Sequence, residues 1–141
     1  MPRTAILSVI ALLALPANAL LQSWEEQVEI QIAAIHAEIA ADYDYASDLV
    51  IGELEHDDVD GFTLRLRGDA EYIIVGVCDN DCADLDLAIY DPYEDEVAAD
   101  TEYDDYPVLY VSGEGDYEVE VYMADCAAAT CLWGAQVFVL E

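Results

Sequence analysis

Two stretches, residues 84–89 (DLDLAI) and residues 117–123 (YEVEVYM), decide the fold class of this chain. In both, apolar side chains alternate with acidic ones at a period of two, which is typical of a β-strand with one buried and one solvated face. Residues 62–67 (FTLRLR) alternate in the same way. These three runs therefore predict half-buried β-strands.

The remaining strand candidates surround these three. Residues 72–78 (YIIVGVC) are apolar on both faces, as expected of a central strand, and residues 108–111 and 132–140 are further apolar runs. Turn signals separate the runs, namely Gly61, Gly68, Asp91-Pro92, Gly113 and Gly115. Seven or eight strands at this spacing predict an all-β, jelly-roll-like β-sandwich over residues 47–141.

Residues 20–46, ahead of the sandwich, have a helical pattern. Ser23 and Glu26 form a capping box at its start. Apolar side chains recur at spacings of three and four and make one stripe: Trp24, Val28, Ile32, Ile35, Ile39 and Tyr43. We expect the stripe to pack on the domain's own core. The alternative is a small structural protein without a ligand site, which self-associates as a homodimer through residues 24–43.

The first nineteen residues have the features of a signal peptide. Arg3 provides the positive charge, residues 5–15 form a short apolar run, and Ala17-Asn18-Ala19 matches the small-x-small cleavage pattern. The apolar run is well short of the roughly 20 residues that a membrane span needs. We therefore expect a periplasmic or secreted protein without an integral span in the mature chain. An uncleaved N-terminal anchor is the alternative.

The chain is strongly acidic, with 32 Asp and Glu against 3 Lys and Arg and a net charge of −29. Such a surface repels nucleic acid, because no basic patch exists to displace the counterions of a polyanion. It also repels itself unless cations or salt screen it. Two explanations remain open, a surface that binds cations and a surface adapted to a salty habitat.

The four cysteines, Cys78, Cys82, Cys126 and Cys131, are an even number in an exported chain. In an oxidising compartment this predicts two disulfides, and the short spacings suggest two local bridges. A zinc site made by all four cysteines is the alternative, although zinc sites favour C-x2-C pairs.

The region 70–122 resembles the bacterial pre-peptidase C-terminal (PPC) domain family. The resemblance rests on residues 72–75 (YIIV), on residues 84–91 (DLDLAIYD), and on residues 115–121 (GDYEVEV), with Asp100 and Pro107 between them. It implies a β-sandwich accessory domain of the kind found on secreted peptidases and other exported enzymes. Some related collagen-binding domains hold calcium.

The densest polar cluster lies in residues 78–86 (CDNDCADLD), within a loop that a Cys78–Cys82 bridge would tighten. Its aspartates, Asp79, Asp81, Asp84 and Asp86, offer the oxygen ligands that calcium prefers. Asp84 and Asp86 are two residues apart on one strand and so point to the same face. We therefore predict calcium as a cofactor here. The alternative is a solvated turn held by Asx hydrogen bonds.

Four tyrosines, Tyr90, Tyr93, Tyr103 and Tyr106, lie on predicted loops among acidic residues. Aromatic rings beside carboxylates can form a platform for sugars, which makes these tyrosines candidate ligand-binding residues. More often, such side chains simply cover the end of a sandwich.

Catalytic motifs are not evident in the sequence. His36 and His56 stand in no recognisable triad context, and a paired-carboxylate glycosidase is the only enzyme class that the acidic residues suggest. We expect a non-catalytic binding or accessory domain that contacts a protein or polysaccharide partner.

Overall fold

The computed structural model describes the backbone of residues 17–141 and the side chains from residue 23 onward. It confirms the predicted fold class, because two antiparallel sheets face one another and a single helix precedes them. The predicted signal peptide comprises residues 1–19, and its residues 1–16 lie outside the described part of the chain. Between residues 17 and 141, no helix is both long enough and apolar enough to span a bilayer.

One helix and nine strands make up this part of the chain. They are α1 (Ala17–Ile39), β1 (Asp44–Tyr45), β2 (Val50–Leu54), β3 (Val59–Leu66), β4 (Glu71–Cys78), β5 (Cys82–Tyr90), β6 (Glu96–Asp100), β7 (Val108–Val111), β8 (Gly115–Cys126) and β9 (Cys131–Leu140). The five-stranded sheet has the order β1-β9-β4-β7, with β2 also paired to β9. The four-stranded sheet has the order β3-β8-β5-β6.

The main core lies between the two sheets and follows the alternation in the sequence. Val119 and Val121 of β8 pack there with Leu85, Leu87 and Ile89 of β5, all at most 1% exposed. Strand β4 is buried on both faces, as predicted for a central strand, because β7 and β9 flank it and helix α1 covers its outer face.

Helix α1 packs its apolar stripe on the outer face of the five-stranded sheet. Trp24, Val28 and Ile32 are buried there and form a second core with side chains of β4 and β9. The helix comes closest to the sheet at Gly134, where an added Cβ would lie 2.8 Å from Val28 Cγ1. The stripe thus packs on the domain's own core, as expected.

Both predicted ends of the helix need correction. The described part of the helix already includes Ala17, so Ser23 lies inside it and the predicted capping box does not form its start. It ends at Ile39 rather than at residue 46, because β1 pairs with β9 directly afterwards. Tyr43 still packs against the second core, but it does so from the turn that follows the helix. Tyr43 therefore matches the spacing of the apolar stripe although the helix has already ended.

Candidate functional site

The outer face of the four-stranded sheet carries concentrated negative charge. Helix α1 contacts β4 and β9 of the other sheet, so it does not cover this face. Glu118 and Glu120 of β8 are exposed on it. Across the β5–β8 ladder, Asp84 lies opposite Asp125. Like charges in such cross-strand positions destabilise a sheet unless something compensates them.

Asp84 and Asp86 of β5 form the centre of this face. Asp84 is only 8% exposed, and Asp86 is half-buried. In each carboxyl group one oxygen, Oδ1, is buried and has no hydrogen-bond partner among the described residues. A buried carboxylate oxygen that lacks a hydrogen-bond donor is costly. The pair is therefore the strongest candidate for a site that receives a positive charge.

The loop between β6 and β7 brings further acidic groups to this pair. The backbone N–H of Leu85 donates to the carbonyl oxygen of Asp104 at 2.9 Å, which fixes the loop against the edge of β5. Tyr103 donates its hydroxyl to Asp125 Oδ2 at 2.7 Å. The backbone N–H of Val108 donates to Asp100 Oδ2 at 2.9 Å and holds the end of the loop.

These surroundings raise the pKa of both central carboxyl groups. Burial is the main cause at Asp86, and the charge of Asp84, a hydrogen bond to Asp84 and the charges of Asp100 and Asp104 add to it, which raises the pKa of Asp86 to about 6. Burial also raises the pKa of Asp84; a hydrogen bond from the backbone of Asp104 and one with the Asp86 side chain oppose this rise, and the charges of Asp104 and Asp125 add to it. The pair therefore favours a proton or a cation over two bare negative charges.

The predicted set of four calcium ligands is not preassembled. Asp79 Oδ2 accepts a hydrogen bond from the backbone N–H of Leu132 at 2.9 Å, and its Oδ1 accepts one from that of Asp81 at 3.1 Å. Asp79 thus stabilises the loop as an Asx turn. Within residues 23–141, no three His, Cys, Asp or Glu side chains are arranged to hold a metal ion. The acidic groups whose charges act on Asp84 are Asp104 and Asp125 rather than Asp79 and Asp81.

The four predicted tyrosines occupy different surroundings. Tyr90 lines a small cavity of about 130 Å³ with Asp86 and Tyr122, whereas Tyr106 lies beside helix α1 on the other sheet. Tyr93 is 85% exposed in the turn after β5. They do not share one platform.

Sequence reasoning missed Tyr122, which lies directly opposite Asp86 and donates its hydroxyl to Asp57 Oδ1 at 2.7 Å. The alternation in residues 117–123 does place Tyr122 on the face of Glu118 and Glu120, so a signal was present.

Two disulfides, Cys78–Cys82 and Cys126–Cys131, close local loops next to this site, as the spacings suggested. Each bridge joins one sheet to the other, β4 to β5 and β8 to β9. Cys82 and Cys126 are direct neighbours in the β5–β8 ladder. Both bridges therefore fix the same end of the sandwich, the end from which Asp84 and Asp125 extend.

The two histidines have structural contacts. His36 Nε2 lies 2.7 Å from the carbonyl oxygen of Tyr43 and so braces the turn after the helix. His56 Nδ1 accepts a hydrogen bond from the backbone N–H of Cys126 at 3.2 Å.

Comparison with known proteins gives the following picture. No protein-family model matches the sequence, and no curated protein matches it either. One similar solved structure is PliG of Aeromonas hydrophila, a periplasmic inhibitor of g-type lysozyme. It is 12% identical with a TM-score of 0.49, and the match covers 68% of this chain and 88% of that one.

Another is the pre-peptidase C-terminal domain of a collagenase from Bacillus anthracis. It is 17% identical with a TM-score of 0.46, and the match covers 63% of this chain and 86% of that one. At these identities and scores, neither likeness extends to function.

Proposed function

We propose that this chain is an exported, non-catalytic binding domain, whose acidic outer sheet face binds calcium at Asp84 and Asp86 and contacts a protein or polysaccharide partner. The domain would act by recognition alone. Asp104 and Asp125, whose charges act on Asp84, could complete the calcium shell together with water.

Two features support export. The two disulfides are typical of proteins that fold in an oxidising compartment. The N-terminal residues have the charge, the apolar run and the cleavage pattern of a signal peptide. A periplasmic or secreted location fits both features.

The observation that carries the proposal is the buried, unpartnered oxygen of Asp84 beside that of Asp86. Two neighbouring carboxylates on one strand face repel each other when both are ionised, and a bound cation relieves this repulsion. Calcium accepts six to eight oxygen ligands in loose geometry, so it can use carboxylates from a strand and from a loop together. The adjacent disulfides limit the motion of this end, which lowers the cost of ordering such a site.

The partner is expected to be cationic or neutral where it meets this face. Glu118 and Glu120 flank the aspartate pair, and Tyr90 and Tyr122 provide aromatic surface beside them. Tyrosines next to carboxylates can stack on sugars or on cationic side chains. The structure does not favour self-association through the helix stripe, because Trp24, Val28 and Ile32 are already buried on the sheet.

A thermal melt of the oxidised protein in calcium, in magnesium and in chelator tests the calcium proposal. Ionic strength is held constant, so general screening is equal and only specific binding shifts the Tm. We expect a rise in calcium only, and we expect Asp84→Asn and Asp86→Asn to abolish it.

Asp95→Asn is the matched control, because Asp95 is exposed in the turn after β5 and the variant makes the same change in charge. It should retain the full calcium response. Equal Tm values in all three solutions would refute the calcium site, and a loss of response in Asp95→Asn would show that total charge, not the site, is responsible.

A further inference from the structure

A second pocket lies on the other sheet, away from the acidic face. It has a volume of about 250 Å³ and is formed at the N-terminal end of β4, next to edge strand β7 and the turn after helix α1. Tyr43, Tyr72 and Tyr110 line it together with a single carboxylate, that of Glu71. The predicted ligand-binding tyrosines are not among these residues.

The fold places these groups together through strand register. Tyr110 of β7 lies opposite Ile73 of β4, and Glu71, two residues before Ile73, points to the same face. Tyr43 reaches the pocket from the turn after the helix, where its N–H donates to the carbonyl oxygen of Ala40 at 2.9 Å. Tyr110 is 64% exposed, so one wall of the pocket is open to a ligand.

The chemistry of the pocket suits an organic cation. The faces of aromatic rings attract cations, and a neighbouring carboxylate adds a full negative charge. Burial is the main reason why the pKa of Tyr43 is raised, and the charge of Glu71 and a hydrogen bond to it raise this pKa further. The Tyr43 hydroxyl thus stays neutral beside the Glu71 carboxylate.

Among the described residues, neither arginine serves this pocket. The sequence contains three Lys and Arg in total, and two of them, Arg65 and Arg67, lie among the described residues. Arg65 pairs with Asp116, and Arg67 pairs with Glu141 and Asp69. Neither arginine of the described residues pairs with Glu71, so its carboxylate is free to accept a cation from another molecule.

We propose that the pocket formed by Tyr43, Glu71 and Tyr110 binds an organic cation with an aliphatic stem, of the kind found at the end of a lysine or arginine side chain. The stem would pack on the tyrosine rings, and the charged head would pair with Glu71. This inference is independent of the calcium proposal, because the two sites lie on different sheets.

The test is an NMR titration of the tyrosine ring signals of the oxidised protein with n-butylammonium and with N-acetyl-lysine methylamide. Sodium chloride keeps the ionic strength constant, and ammonium chloride serves as the cation without a stem. We expect saturable shifts of the Tyr43 and Tyr110 signals with both stemmed ligands and not with ammonium. Equal affinity of the two ligands indicates that the side chain suffices, whereas preference for the lysine derivative indicates a peptide source.

Tyr110→Ala and Glu71→Gln are the diagnostic variants, and each should weaken binding by about tenfold. Tyr93→Ala and Glu96→Gln are their matched controls, because both residues are exposed elsewhere on the domain. Non-saturable shifts, equal shifts with ammonium, or unchanged affinity in both diagnostic variants would overturn the proposal. The calcium response of the diagnostic variants should equal that of the parent, so failure at one site is distinguishable from failure at the other.

Discussion

Asp86 combines a half-buried position with three nearby acidic groups, and its carboxyl group therefore has an unusual proton affinity. Its pKa of about 6 in the folded protein exceeds the value of 3.8 that describes an unperturbed aspartate. Within that pH window, the folded state holds a proton that the unfolded state has released. The folded state therefore loses relative stability as the pH rises through the window.

We expect the free energy of unfolding in chelator to fall between about pH 4 and pH 7, partly because of Asp86. Asp86→Asn removes the titrating group. Over this pH range, the decrease in the free energy of unfolding should therefore be roughly 1–2 kcal/mol smaller in the variant than in the parent, once solvent screening is considered. Urea denaturation at a series of pH values measures this difference.

Asp95→Asn is again the appropriate control, since it alters the total charge equally. If the pH profiles of Asp86→Asn and the parent are parallel, Asp86 does not titrate in this window. Saturating calcium should also flatten the profile of the parent, because a bound cation favours the ionised form.

Helix α1 depends on a close contact with one glycine of strand β9. Val28 is fully buried, and it packs over Gly134, where a side chain would collide with Val28 Cγ1. The contact makes the fit between the helix and the sheet specific at this point. Two substitutions that each disturb the contact should therefore compensate one another.

We expect Val28→Ala to cost about 1–3 kcal/mol through the cavity that it leaves, and Gly134→Ala to cost about 1–3 kcal/mol through overpacking. The double variant should cost clearly less than the sum of the two, because the new methyl group fills part of the vacated space. Chemical denaturation of all four proteins measures the coupling.

Ile30→Ala is the control for the helix, as Ile30 is 70% exposed and should change stability by less than about 0.5 kcal/mol. Strict additivity of Val28→Ala and Gly134→Ala would show that the helix does not rest on Gly134.

Among the strands, those with a clear alternating or apolar pattern could be predicted from the sequence. Strands β5 and β8 and the run Val108–Val111 have strong period-two or apolar patterns, and they form where expected. The short strand β1 and the mostly exposed β6 have no such pattern, since partners distant in sequence define them.

Prediction of the acidic site from the sequence is limited in the same way. Asp84 and Asp86 share a face because two residues separate them on a strand, and this could be predicted. Asp104 and Asp125 join them through the β6–β7 loop and the β8 register, which are tertiary features. Asp79 is near in sequence, yet the backbone of Leu132 holds its carboxylate. The hydrogen bond that holds Asp79 could therefore not be predicted from closeness along the chain.

For the whole molecule, the net charge of −29 is the dominant electrostatic feature. Repulsion among the acidic groups destabilises the compact state at low ionic strength. In chelator, an increase from roughly 0.02 to 0.3 M NaCl should raise the Tm by roughly 5–10 °C, since the screening length falls below 10 Å. Scanning calorimetry measures this rise.

A domain that mainly needs screening should show little further change between about 0.3 and 3 M salt. A Tm that continues to rise throughout this range would instead identify the acidic surface as an adaptation to a salty habitat. The same series in sodium sulfate at equal ionic strength separates screening from stronger burial of apolar surface.

The placement of both disulfides at one end divides the sandwich into a clamped end and a free end. The sheets cannot separate at the clamped end, where Cys82 and Cys126 lie side by side. Transient opening should begin at the opposite end, where β4 starts at Glu71 and β9 finishes at Leu140, and backbone amides there should exchange with deuterium first. The aspartate pair therefore extends from the rigid end, whereas the tyrosine pocket lies at the end that opens transiently. A ligand in that pocket would slow the deuterium exchange of the neighbouring backbone amides.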